Sequence, residues 1–116
     1  MTTIYQHDFT LLQGATLDKS FTFQSAGSPV NLTGYTARMQ LRATVDAVSP
    51  LLDMTNANGK IILGSGTGNI RLLVSATDTA ALNFSTAVYD LELVTAGGVV
   101  RRLLRGTVTL DKEVTR

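Results

Sequence analysis

PVNLTGYTARMQLR, residues 29 to 42, decides the fold. Its second half alternates without a slip. Ala37, Met39 and Leu41 fall on one face and Arg38, Gln40 and Arg42 on the other, because successive side chains of an extended strand point to opposite sides. An apolar face of this kind seeks a core, and the polar face is left to water or to a partner. The segment before it is a turn. Pro29 has no N–H to give a central strand, and Pro29 to Tyr35 sets the register of the strand that follows.

The same alternation, broken by Gly, Asn and Ser clusters, recurs on both sides of this stretch and predicts an antiparallel β domain. Upstream, strands are expected over Ile4 to Leu12, closed by Gln13-Gly14, and over Thr16 to Phe23. In the second of these Leu17, Phe21 and Phe23 share a face with Lys19, a residue suited to the rim of a core. Ser25 to Pro29 turns the chain. Downstream, Thr44 to Pro50 is a connection and Leu51 to Asn56 a strand. Asn58-Gly59 matches the two positive-φ positions of a type I′ turn and predicts a hairpin with Lys60 to Leu63. Gly64 to Gly68 reads as a loop and Ile70 to Val74 as a strand.

Ser75 followed by Asp78 has the spacing of a capping box and predicts a short helix near 76–82, anchored by Leu82 and Phe84. Alternation resumes over Ala87 to Thr95, with Tyr89, Leu91 and Leu93 inward and Val88, Asp90 and Glu92 outward. Ala96-Gly97-Gly98 turns the chain into the longest strand, Val99 to Leu110. Pairing Val94 with Val99 would set Glu92 across from Arg101 and point Arg102 toward the apolar side, unless a bulge near Gly98 shifts the parity.

About eight strands and one short helix in 116 residues predict a single domain, 1–116, folded as an antiparallel β-sandwich of immunoglobulin-like architecture, with a small barrel as competitor. The chain has no cysteine and no tryptophan, so it lacks the usual marks of a true immunoglobulin domain.

Composition excludes several function classes. Without cysteine there is no thiolate nucleophile and no CxxC metal site, and the single histidine, His7, cannot complete a zinc site. A net charge of +1 supplies no bulk field for nucleic acid or anionic lipid. The N-terminus has no signal-like run, and no stretch is long and apolar enough to span a membrane, so a soluble protein made in a cytoplasm is expected. Two matches to the N-glycosylation pattern, at Asn31 and Asn83, have no secretory signal beside them and read as coincidence.

No catalytic constellation stands out. Gly64 to Gly68 lacks the Gly-Lys-Ser/Thr ending of a phosphate loop and precedes a strand. His7 has no GxSxG elbow to serve and reads as an exposed or rim residue. Asp46, Asp53, Asp78, Asp90 and Glu92 are scattered singly, so neither a calcium loop nor a glycosidase pair is expected. No catalytic, metal or cofactor-binding residue is assigned. The recurrent basic feature is Arg38 and Arg42 with Arg101, Arg102 and Arg105. If their strands were adjacent they would form a cationic stripe. With Gln40 these residues make the candidate protein interface, since arginine is enriched at such surfaces.

The order of motifs supports a more specific reading. QGATLDKSFTF, SPVNLTGYTARMQLR, GKIIL with GNIRLLVSATDTAAL, and YDLELVTAGGVVRRLLRGTVTLDKEVTR together resemble a family of small bacteriophage and prophage tail proteins. The run is also similar to the N-terminal β-sandwich domain of phage baseplate upper proteins. The resemblance extends from about Leu11 to the C-terminus. It implies a non-enzymatic structural component of a tail, baseplate or tail-fibre attachment in the virion. Its partners would be other tail proteins and further copies of itself, with neither nucleic acid nor membrane insertion. The alternative is a carbohydrate-binding module assisting host attachment, for which Tyr5, Tyr35 and Tyr89 are the available tyrosine platforms.

Overall fold

The computed structural model describes residues 4–64 and 66–115. Its strands are β1 (Tyr5–Gln6), β2 (Phe9–Leu12), β3 (Leu17–Thr22), β4 (Gln24–Ser25), β5 (Ser28–Pro29), β6 (Thr36–Arg42), β7 (Leu52–Thr55), β8 (Ile61–Gly64), β9 (Asn69–Val74), β10 (Thr86–Val94) and β11 (Val100–Asp111), with one helix, α1 (Ala76–Ala80), between β9 and β10. The larger sheet runs β1-β11-β10-β6-β7, with β2 also paired to β11; the smaller runs β3-β9-β8, and β4 and β5 form a separate ribbon. The two main sheets pack face to face as a β-sandwich.

Alternation builds the core as the sequence predicts. From the larger sheet, Ala37, Met39, Leu41, Met54, Ala87, Tyr89, Leu91, Leu93 and Val108 are buried; they face Ile61, Ile70, Leu72 and Val74 of the smaller one. Leu32, from the turn before β6, and Leu82, just after α1, are buried with them. Phe84 packs against the same cluster. Removing large side chains of this kind from water supplies roughly 1.5–3 kcal/mol each, which is why register is specified by the inner face. The Ser75 hydroxyl caps α1 by accepting from the Asp78 N–H at 3.1 Å, and the Asp78 carboxylate lies 3.3 Å from Lys60 Nζ. Lys19 takes the predicted rim position, its Nζ 5.7 Å from the Phe9 ring centre and 5.5 Å from that of Phe21. There the ammonium is attracted by both ring faces.

Three expectations are corrected. First, Asn58-Gly59 does not close a hairpin. β7 pairs with β6, and β8 pairs with β9 in the other sheet, so residues 56–60 carry the chain between layers. Of the pair only Gly59 has positive φ. The Asn58 side chain instead accepts from the N–H groups of Thr55 and Lys60, both at 3.0 Å, and donates to the Asp53 carbonyl at 3.0 Å. Those bonds occupy backbone groups at the free edge of β7, where another strand would otherwise add. The two adjacent positive-φ residues that a type I′ turn requires are Ala26 and Gly27, between β4 and β5.

Second, Ile4 to Leu12 is not one antiparallel strand. It breaks at His7-Asp8 into β1 and β2, and both pair with β11 in parallel. Gly106 permits the crossing: a Cβ there would lie 2.1 Å from the His7 carbonyl oxygen and 2.7 Å from an Asp8 carboxylate oxygen. An isolated glycine in a strand marks such a close approach. Third, β11 begins one residue off the expected pairing, with Val94 opposite Val100, and its bulge falls between the Glu92–Arg102 and Leu91–Leu104 pairs, not near Gly98. The predicted loop at Gly64 to Gly68 includes Ser65, which lies outside the described residues.

Candidate protein-docking face

The outer face of the larger sheet is built by the polar half of each alternating strand. Along β6 it carries Arg38, Gln40 and Arg42; along β10, Val88, Asp90 and Glu92. Backbone pairing sets these side chains in rows. Arg38 lies opposite Glu92, which lies opposite Arg102; Gln40 lies opposite Asp90, which lies opposite Arg105, which lies opposite Gln6 of β1.

β11 contributes two arginines because of its bulge. Residues three apart on a regular strand face opposite ways. Leu103 is the extra residue, with no partner on β10, and it is buried. Absorbing it restores parity, so Arg102 and Arg105 emerge on the same side. Bulges re-aim side chains in this way.

Of the six candidate interface residues, Arg38, Gln40, Arg42, Arg102 and Arg105 are therefore brought together. Arg101 is not. It lies opposite Leu93 and is half-buried, so it belongs to the other side of the sheet, and the expected Glu92–Arg101 pair is replaced by Glu92–Arg102. Nor do the arginines form a cationic stripe. β10 separates β6 from β11, and its acids interleave with the cations: Arg38 Nε bonds Glu92 Oε1 at 2.6 Å, and Arg102 Nη1 lies 3.7 Å from Asp90 Oδ2. The face is alternately charged.

Gln40 Nε2 donates to Asp53 at 3.1 Å. Arg42 is held from two sides, donating through Nη1 to the Ala47 carbonyl and through Nη2 to Gln40 Oε1, each at 2.7 Å. Between β6 and β11 the surface is concave, a depression of about 550 Å³ lined among others by Gln6, Gln40, Arg42, Val45, Arg102 and Arg105. Gln6 and Val45 escaped sequence reading, because a parallel strand and a loop reach this surface only through tertiary structure. Gly106 was the available signal for the first.

The margin of the face is fastened by a separate set of bonds. The Tyr89 hydroxyl donates to the His7 carbonyl, and the Asp8 carboxylate accepts from Thr107 N–H at 2.8 Å and from Gln6 Nε2 at 2.9 Å. The Thr107 bond, then the Gln6 bond, hold the Asp8 pKa below its ordinary value, since both favour the ionised form. Burial, with the Asp8 charge adding to it, pushes the Tyr89 hydroxyl up to about 12.

Tyr89 is 5% exposed, Tyr35 is half-buried against the core, and Tyr5 is exposed at the edge. His7 is half-buried, stacked on Phe9 and edge-on to Phe21, with Nε2 buried and without a hydrogen-bond partner among the described residues. Among the described residues no group of His, Asp and Glu is arranged to hold a metal ion, and no helix is long and apolar enough to cross a membrane. Neither a family model nor a curated protein matches the chain.

Proposed function

We propose that this chain is a non-enzymatic structural component of a bacteriophage tail, baseplate or tail-fibre attachment, working through protein–protein contacts made by the outer face of its larger sheet. The observation that carries this reading is the assembly of Arg38, Gln40, Arg42, Arg102 and Arg105 on one rigid face. Backbone pairing and a buried inner layer fix where these side chains emerge, and Arg38 and Arg42 are further held by bonds to Glu92, Ala47 and Gln40, so docking has less left to order. Arginine suits such a surface, offering planar donors that pair with carboxylates across an interface. The motif resemblance supplies the tail; the face supplies the means of attachment.

Mass spectrometry of purified particles tests the placement. The chain is expected at a fixed ratio to the other tail proteins. Its presence in host lysate but absence from washed particles would overturn the reading. The double charge reversal Arg38→Glu with Arg102→Glu is expected to leave the domain folded and to abolish incorporation.

A further inference from the structure

We propose that the depression between Arg42 and Arg105 is a notch for a carboxylate-bearing segment of the neighbouring protein. This rests on the docking role proposed above and names the chemistry of the partner. It follows from the charges left over when the face is paired internally. The depression is lined by Arg42, Arg102 and Arg105 and by two acids, Asp90 and Glu92. Glu92 is engaged by Arg38 at 2.6 Å and Asp90 by Arg102 at 3.7 Å. Arg42 and Arg105 have no carboxylate partner among the described residues.

Their placement makes them act together. Arg42 is opposite Val88, which is opposite Thr107, while Arg105 is two residues along β11 from Thr107 and two strands from β6, about 10 Å across the sheet. Between them the floor is Val88 and, opposite Arg105, Asp90, which lies 3.7 Å from Arg102; Arg38, Arg42, Arg102 and Arg105 still outnumber Asp90 and Glu92 on this face. Arg42 is preorganised by its bonds to Ala47 and Gln40, so a carboxylate meets a guanidinium already fixed in position. Val45, 81% exposed on the same rim, and Val48, 97% exposed three residues on, offer apolar contact to the chain that carries the acid. Four arginines set against two acids, with Val88 in the floor and Val45 on the rim, define an acidic, partly apolar extended segment as the occupant.

The test is an NMR titration of the intact protein with a hexaglutamate peptide at low ionic strength. Saturable shifts are expected at Val88, Arg105 and Thr107, weakening as salt is added, and hexalysine should produce none. Arg105→Gln is expected to weaken binding roughly tenfold, in line with the loss of one charge-assisted hydrogen-bonding group. Arg105 is exposed and forms no ion pair among the described residues, so this variant should fold; Arg42→Gln is the second variant. Arg71→Gln, on the opposite sheet, should leave affinity unchanged.

Absence of saturable shifts, or equal affinity in the Arg105 and Arg42 variants, would overturn the notch. Equal shifts at equal affinity with inorganic phosphate would replace it with a general anion site. Concentration-dependent shifts at these residues without peptide would assign the surface to a second copy. Peptide binding by a chain absent from particles would sink the tail placement alone, and incorporation into particles without peptide binding would sink the notch alone.

Discussion

β6 and β11 flank the same central strand and supply the same outer face, yet one keeps strict alternation and the other does not. Over its seven residues β6 places Ala37, Met39 and Leu41 inside and every intervening residue outside. β11 is longer, at twelve residues, and carries one residue more than its partner requires, Leu103. In β6 the faces follow from counting by twos. In β11 they follow from counting by twos and adding one at Leu103, a correction visible only once the strands are paired. A charged face can therefore be assembled from one regular strand and one interrupted strand, provided the interruption is buried.

Deletions should separate the two strands most sharply. Removing Met39 brings Arg38 next to Gln40, and whichever half of β6 yields, an arginine is turned into the core while its apolar neighbours turn out. Burial of an unpaired charge costs several kcal/mol, comparable with the roughly 5–15 kcal/mol that holds a domain folded. The expected result is loss of cooperative urea unfolding and collapse of amide dispersion. Removing Leu103 should instead regularise the ladder, leaving Leu104 opposite Leu91 and Arg102 opposite Glu92. Its cost is the burial of one leucine, about 1.5–3 kcal/mol, with cooperativity and dispersion retained. Equal damage from both deletions would mean that the bulge is needed for more than side-chain parity.

How far each element was legible in sequence follows the same division. The central strands β6 and β10, the capped helix and the turn at Gly97-Gly98 rest on local patterns, and the sequence predicts them with the correct inner faces. What it misassigns depends on partners far along the chain. Asn58-Gly59 has hairpin chemistry, but Met54 belongs to one layer and Ile61 to the other, and separate burial of the two strands outweighs turn preference. Ile4 to Leu12 alternates plausibly throughout; its break at His7-Asp8 reflects the crossing over Gly106. Of the candidate interface, the β6 residues were readable by parity alone. Arg101 faces the other way because Val94 pairs with Val100 instead of Val99, one residue of register at the turn, and the bulge that returns Arg105 to the outer face lies beyond it at Leu103.

The next largest effect concerns a strand edge. Asn58→Ala removes three hydrogen bonds to residues 53, 55 and 60. Because these groups are exposed and water replaces part of the loss, about 1–2 kcal/mol is expected. The second consequence is an unblocked edge on β7. Light scattering should report association that rises with concentration in the variant and is absent in the parent; a variant that is less stable yet monomeric would confine Asn58 to stabilising the turn.

At the other edge, Tyr89→Phe deletes the hydroxyl bonded to the His7 carbonyl and should cost about 1 kcal/mol at neutral pH. Its pH dependence is more telling. The hydroxyl is raised from 10.0 to about 12 in the folded chain, so the unfolded state loses this proton first. Stability is therefore unaffected by titration of this group below pH 10, and ionisation of the unfolded chain costs the fold roughly 2–3 kcal/mol as pH rises through about 12. The advantage of the parent over Tyr89→Phe should vanish and then reverse across that window, as read from urea midpoints at matched pH. A constant difference would mean that Tyr89 is not desolvated at the strand crossing.

The smallest effect is expected where the charges are most numerous. Arg38→Gln breaks the shortest ion pair on the outer face, at 2.6 Å, but the Arg38 side chain is more than half exposed, and such pairs contribute about 0–1 kcal/mol because water and salt screen them. A shift below about 0.5 kcal/mol in urea is predicted, within the range of ordinary surface substitutions. The inner residues of β6 thus hold the domain together while its outer residues contribute little to that task. Arginines on such a face can be exchanged at little cost to folding, so their placement is free to answer to a partner. If Arg38→Gln proved as destabilising as truncation of a buried neighbour, the outer face would be a structural element and not a surface free to serve docking.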